Sequence, residues 1–400
     1  FFKQKTAYEL LSGLVGSEMC IRDRDVPDGR SSIAIDTGFI VFNFAHYPLL
    51  SALFDALSVK SQPSDMSFSV RCDVTGVEFS GSNLNTFFAQ RGNMLRAQSW
   101  RLLKDILRFN RDGIKSLEAG LGDQITVGDF AKQHGYSDVL VDRYLLPLGG
   151  ALWSCDTRTF RNFPMRFVLE FLRNHAMLQI GNRPVWRTVT GGSRHYVEQI
   201  AQGLGSRLCL NRPVTQVLRS GQGVKLLFGG GDSQIFDEVV LATHADTSLA
   251  LVAEPEGEER ALLGTFPYQD NEVCLHTDTR VLPSTRRAWA SWNYRMKEGV
   301  RSGTCVTYNM NKLQALESAQ TFCVSLNQRE DLRPDAILHK EIVRHPLFVP
   351  GRGEAQARHT HMIRRRGLSY CGAYWGFGFH EDGVRSAAQV CDAFNVERPF

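Results

Sequence analysis

Residues 368–394 read LSYCGAYWGFGFHEDGVRSAAQVCDAF. Residues 368–371 have the composition of a strand, Gly372, Gly376 and Gly378 form a glycine loop, and the spacing predicts a helix opening near Glu381. The apolar side of that helix is Val384, Ala387, Ala388, Cys391 and Phe394, spaced for one buried face. A Gly-rich crossing from strand to helix lets a ligand approach the backbone, and a helix N-terminus offers free N–H groups and a partial positive charge. This chemistry suits a phosphate, a carboxylate or an electron-rich carbonyl edge. An ordinary tight turn is the plainer reading. Three glycines within seven residues, interleaved with Tyr374, Trp375, Phe377 and Phe379, favour the ligand.

A strand feeding a glycine loop and a helix belongs to an α/β fold, and the rest of the chain agrees. The most regular stretch, 207–244, holds three short strands at hairpin spacing (RLCL, VTQVLRS, VKLLF) with glycine turns. They lead into an apolar run at 238–243 that reads as a strand buried on both faces of a parallel sheet. Residues 31–43 read as strand, Gly turn and second strand, and 47–58 as an amphipathic helix. Residues 66–88 suggest a small antiparallel patch. Residues 96–118 and 127–146 are helix-rich, with Trp100, Leu103, Ile106, Leu107 and Phe109 along one face. Helical spacing resumes at 167–177, and Thr190, Gly191 and Gly192 form a turn with Ser193 as cap of a helix over 194–203. Residues 271–326 return to alternating strands.

Composition bounds the partners. A chain of 400 residues suggests two domains or one large interleaved one. With 43% apolar and 22% charged residues it can bury a sizeable core. A net charge of +4 implies no nucleic-acid surface, and no apolar run approaches the ~18 residues of a membrane span. The nine cysteines are scattered without metal spacing, which points to no metal site and to a reducing cytoplasm.

Taken together, several motifs resemble the flavin-containing amine oxidase superfamily, which also holds phytoene-desaturase-like enzymes. Within it they are most similar to a bacterial FAD-dependent oxidoreductase subgroup, predicted NAD/FAD-binding proteins. The motifs are IDTGFIVFN (35–43), QPSDMSFSV (62–70), ALWS (151–154), TVTGGSRHYV (188–197), LHTDTRVLP (275–283), SWNY (291–294) and CGAYWGFGFHEDG (371–383). The resemblance implies a Rossmann-like FAD-binding domain interleaved with an α+β substrate domain. It assigns 25–65, 188–250 and 356–400 to the first and 66–187 and 251–355 to the second. Similar proteins are fused to or encoded beside cyclopropane-fatty-acid synthases. It therefore implies a lipid or small-molecule substrate, possible peripheral membrane contact and association with such a synthase.

Two departures stand out. The family opens with a G-x-G-x-x-G fingerprint, and none occurs in this sequence. In its place stands FFKQKTAYELLSGLVGSEMCIRDR (1–24), which shows no clean period and resembles translated adapter read-through. These residues are expected to be non-native, a weakly ordered extension being the alternative. A βαβ start is then missing, and the chain as given is expected to hold FAD weakly. The second departure is Ala373, where many relatives carry an acidic residue.

Carried over residue by residue, the resemblance places Asp36, Thr37 and Gly38 near the flavin, Val214 at the adenine and Thr243 beside the dinucleotide. It places Gly372 and Gly378, His380, Glu381, Asp382 and Gly383 at the helix start under the isoalloxazine ring. For catalysis, Trp375 and Phe379 offer aromatic walls and His380 a group titrating near neutrality. His276 lies roughly where many amine oxidases place a lysine. Core packing for the aromatics, helix capping for Glu381 and Asp382, and a satisfied strand histidine at 276 are the structural alternatives. The implied activity is FAD-dependent oxidation of an apolar substrate such as an acyl chain. The rivals are an amine oxidase giving imine and peroxide, and a non-catalytic flavin-binding partner of a lipid methyltransferase.

Overall fold

The computed structural model describes residues 23–28, 31–153, 155, 157–175, 177–179, 181, 184–297 and 305–396. Most of the segment expected to be non-native, Cys20 included, lies outside them. Asp23 and Arg24 open β1 (Asp23–Asp28), which pairs antiparallel with β2 (Ser31–Asp36).

Among the described residues, the strand-forming runs assemble into five sheets. β3 (Ser61–Pro63) pairs antiparallel with β6 (Arg187–Val189). β4 (Phe68–Cys72) and β5 (Glu78–Ser80) make the expected antiparallel pair, with Val70 opposite Phe79. The pair is not isolated. β4 also runs parallel to β12 (Trp292–Met296), Phe68 opposite Trp292, and so becomes part of a seven-stranded sheet. That sheet is completed by β11 (Tyr268–His276), β13 (Val306–Asn309), β14 (Cys323–Leu326) and β15 (Ile337–Pro346), in the order β15-β11-β14-β13-β12-β4-β5.

Of the three strands expected after 207, VTQVLRS and VKLLF form β7 (Val214–Ser220) and β8 (Gly223–Phe228), whereas RLCL (207–210) is not a strand; the third strand of this antiparallel sheet is β9 (Ser233–Phe236), after the glycine turn. Gly223 is required at the β7–β8 turn: its φ of +128° is left-handed, and a Cβ would collide with the Phe236 carbonyl. β10 (Val239–Leu241) pairs in parallel with β16 (Leu368–Tyr370), Leu241 opposite Tyr370. The expected long strand with two buried faces is thus only three residues, and only Leu241 is buried.

The long helix Ala97–Glu118 packs on the helix Met165–Asn174, and a Cβ on Gly113 would lie 2.6 Å from Leu169 Cδ2. Its buried face is narrower than periodicity implies: Leu102 and Phe109 are buried, while Trp100 and Leu107 are exposed. The segment 127–146 splits into short turns, beginning with the helix Val127–Gln133. The helix Arg194–Leu204 forms as expected, but Ser193 does not cap it. The hydroxyl instead donates to Asp36 Oδ2 at 3.1 Å and the Phe39 carbonyl at 3.0 Å. The glycine loop leads into the helix His380–Ala393, which buries Val384, Ala387, Ala388 and Cys391. None of the described helices is long and apolar enough to cross a membrane.

Candidate active site

The glycine loop is held from both sides. Gly378 sits at φ +89°, and a Cβ there would lie 3.2 Å from the Phe348 ring, so only glycine suits this crossing. Beneath the loop, Arg352 donates to the Tyr374 carbonyl at 3.0 Å and the Gly376 carbonyl at 3.4 Å. Gln356 donates to the same two carbonyls at 2.9 and 2.6 Å. The Arg352 guanidinium is buried, 3.7 Å over the Phe348 ring, and burial pushes its pKa down to about 9.

The acidic pair at the helix start has structural work. Asp382 accepts from the Phe377 and Phe379 amides at 3.0 and 3.1 Å, pinning the loop, and pairs with Arg385 at 2.7 Å. Glu381 accepts from Leu49 and Leu50 amides at 3.2 and 3.0 Å, satisfying the start of the helix Pro48–Ala56. Burial raises the pKa of both. Asp36, fully buried, accepts from the Ser193 amide at 2.9 Å and from Gln314 Nε2 at 3.2 Å, tying β2 to the turn before the helix Arg194–Leu204.

Between these supports lies a cavity of about 230 Å³. Its wall brings together Thr37, Gly38 and Phe39 after β2 with Phe377, Gly378 and Phe379 of the loop and His380 at the helix start. The His380 ring lies 4.0 Å from the Phe39 ring. Leu152, Trp153 and Phe171 come from the helical region, and Trp292, Tyr308 and Val324 from the large sheet. Tyr47, Met66, Trp186 and residues of the 343–348 stretch also line the cavity.

Other expected residues lie elsewhere. Trp375 packs against Phe266 and stacks on His359 at 4.5 Å, in the core around β10 and β16. His276 is fully buried in the sheet: its Nδ1 accepts from the Asp278 amide at 3.1 Å and its Nε2 bonds Ser325 Oγ at 2.8 Å. Burial holds its pKa down to about 4. Val214 opens β7 opposite Phe228, and the Thr243 hydroxyl meets Ser248 Oγ at 2.8 Å just past β10. The Gly372 amide donates to Ser386 Oγ at 2.9 Å, at the base of the loop. Gly383 faces space: a Cβ would meet only the Ala373 nitrogen, at 3.9 Å.

His175 and Trp186 line the cavity and were not singled out from sequence. The available signal was the four-residue spacing of Phe171 and His175 on one helix face. Trp186 joins them only through the tertiary fold, its ring 6.0 Å from His175 and nearly parallel at 10°.

An aromatic cavity beside a tight glycine loop, with a bare first turn at Gly383 of a 14-residue helix, fits a planar electron-accepting ring. The family described as flavin containing amine oxidoreductase matches residues 22–285, and the chain belongs to that family. It is a flavoenzyme that uses FAD. A comparison with curated protein sequences finds no match. Among solved structures, it is similar to the CLA-producing fatty acid isomerase from P. acnes, with 12% identity, TM-score 0.64, and 98% and 97% of the two chains covered. It is likewise similar to cyclohexylamine oxidase from Brevibacterium oxydans IH-35A, with 14% identity, TM-score 0.64, and 96% and 95% covered. Putrescine oxidase bound to putrescine gives 13% identity, TM-score 0.64, and 97% and 96% covered.

Proposed function

We propose that this FAD-dependent oxidoreductase acts on an apolar substrate such as a fatty-acyl or lipid chain, by desaturation or a related C–C oxidation. One observation carries the reading: among the described residues, the cavity wall contains no Asp, Glu, Lys or Arg. An ammonium entering such a wall would lose its hydration without meeting a carboxylate, at a cost of several kcal/mol. An alkyl chain loses nothing there and gains about 0.8 kcal/mol for each buried CH₂. The P. acnes structure of the same fold is a fatty acid isomerase, so the fold accommodates an acyl substrate.

Bound FAD supplies the two-electron acceptor for the reaction. Residues of this chain do the rest. Thr37, Gly38, Gly378, Phe379 and His380 would hold the flavin, with Gly383 leaving room at the helix start. Phe171, Trp153, Trp292 and Phe348 would hold the chain and exclude water.

Anaerobic mixing of the FAD-loaded protein with oleoyl lipids or with linear alkylamines tests the reading. Bleaching of the flavin absorbance by the lipids, and not by the amines, is the expected result. Amine-driven bleaching with peroxide release in air would assign the protein to amine oxidation instead.

A further inference from the structure

We propose that His175 is the polar anchor of the cavity, a neutral imidazole whose Nε2 accepts a hydrogen bond from a hydroxyl on an otherwise apolar ligand. This rests on the apolar reading of the cavity given above. His175 follows the helix Met165–Asn174, is only 8% exposed, and lines the cavity. Its Nδ1 lies 2.9 Å from the Phe171 carbonyl oxygen, one turn back. A carbonyl can only accept, so Nδ1 carries the proton and Nε2 keeps its lone pair.

The ring cannot easily turn away from that state. Phe171 covers it at 4.0 Å and Trp186 stacks on it at 6.0 Å, while His46 stacks at 5.4 Å. Phe379 of the glycine loop packs at 5.5 Å, which sets the histidine beside the loop that closes the cavity. Burial holds the ring neutral, with its pKa lowered to about 4.

The surroundings decide what this acceptor takes. His345, also on the wall, has its Nδ1 2.9 Å from Asn271 Nδ2. Asn327 donates to Asn271 Oδ1 at 2.8 Å, which fixes the amide so that His345 Nδ1 is the acceptor and its proton sits on Nε2. The wall therefore sets one imidazole that accepts and another that carries a donor proton, with no carboxylate to compensate an ammonium. A hydroxyl, which can donate to the His175 acceptor and carries no charge, fits this wall.

The test uses the full chain and three probes of equal alkyl length: 1-octanol, methyl octyl ether and octylammonium. Binding is followed by quenching of tryptophan fluorescence, since Trp153, Trp186 and Trp292 line the cavity. Wild type should bind octanol about five- to tenfold more tightly than the ether, the difference one hydrogen bond makes. His175→Phe should abolish that preference without weakening the ether, and His175→Gln, whose amide oxygen accepts, should restore part of it. Equal wild-type binding of alcohol and ether overturns the inference with no variant needed, and leaves the apolar reading standing. Binding of octylammonium in preference to both overturns the apolar reading itself, and the inference with it. If His175→Phe does not fold, as circular dichroism would show, the wild-type ratio and His175→Gln decide.

Discussion

Arg352 and Gln356 converge on the same two acceptors, the carbonyl oxygens of Tyr374 and Gly376. Among the described residues, no carboxylate pairs with the Arg352 guanidinium. Its charge is spread over main-chain carbonyls and the Phe348 face. The loop that borders the cavity is therefore fixed by two side chains doing one task.

Shared acceptors make a specific expectation. Arg352→Met should cost about 1–3 kcal/mol and Gln356→Leu about 1 kcal/mol, because in each single variant the other residue still satisfies both carbonyls. The double variant orphans them and should cost more than the sum by at least about 0.5 kcal/mol. A double-mutant cycle by urea denaturation checks this; strict additivity would show that the two residues act independently.

Burial of histidines sets an acid limit. His175 and His276 are both held down to about 4, against an ordinary value near 6.5, and His46 and His359 shift in the same direction. The unfolded chain takes up these protons first, so stability falls as pH drops from about 6.5 towards 4. One such histidine accounts for about 3 kcal/mol over that window. Glu381 and Asp382, shifted upward by burial, work in the opposite sense and soften the decline at its acid end. Thermal melts from pH 7 to 4 measure the slope, and His175→Phe should flatten it.

The glycines of the last segment divide by neighbour. A Cβ at Gly376 would collide with the Asp382 carboxylate, so Gly376→Ala should destabilise the fold by about 1–3 kcal/mol. Gly383 has no such neighbour, and Gly383→Val should leave the melting temperature of the flavin-free protein nearly unchanged. Its effect should fall on the cofactor: FAD titrated into the variant should bind at least about tenfold more weakly. Unaltered FAD binding would remove Gly383 from the flavin site.

The part of the site carried by contiguous residues was legible in the sequence. GFGFHEDG announces a glycine crossing and a helix start, and the structure has both, with Gly378 at positive φ and the helix beginning at His380. Thr37 and Gly38 reach the same cavity as Phe379 and His380. Roles set by distant partners were not legible. Ser193 looks like a cap, but Asp36, 157 positions away, draws its hydroxyl off. Periodicity placed Trp100 on a buried face, yet the helix turns it outward against Phe88 at 4.9 Å. His175 gains its meaning from Trp186 and Phe379, which no local pattern ties to it.

The parallel pairing of Phe68 with Trp292 has a consequence for how the chain is made. β4 leaves the ribosome more than 200 residues before the strand that completes it. Until then β4 has only β5 beside it, on its other edge, and that hairpin cannot be stable alone. Closing so long a loop makes the seven-stranded sheet a late and slow event, with an unpaired strand edge exposed in the interval. Nascent chains halted before residue 292 should therefore aggregate or recruit chaperones, and release should come only once β12 has emerged.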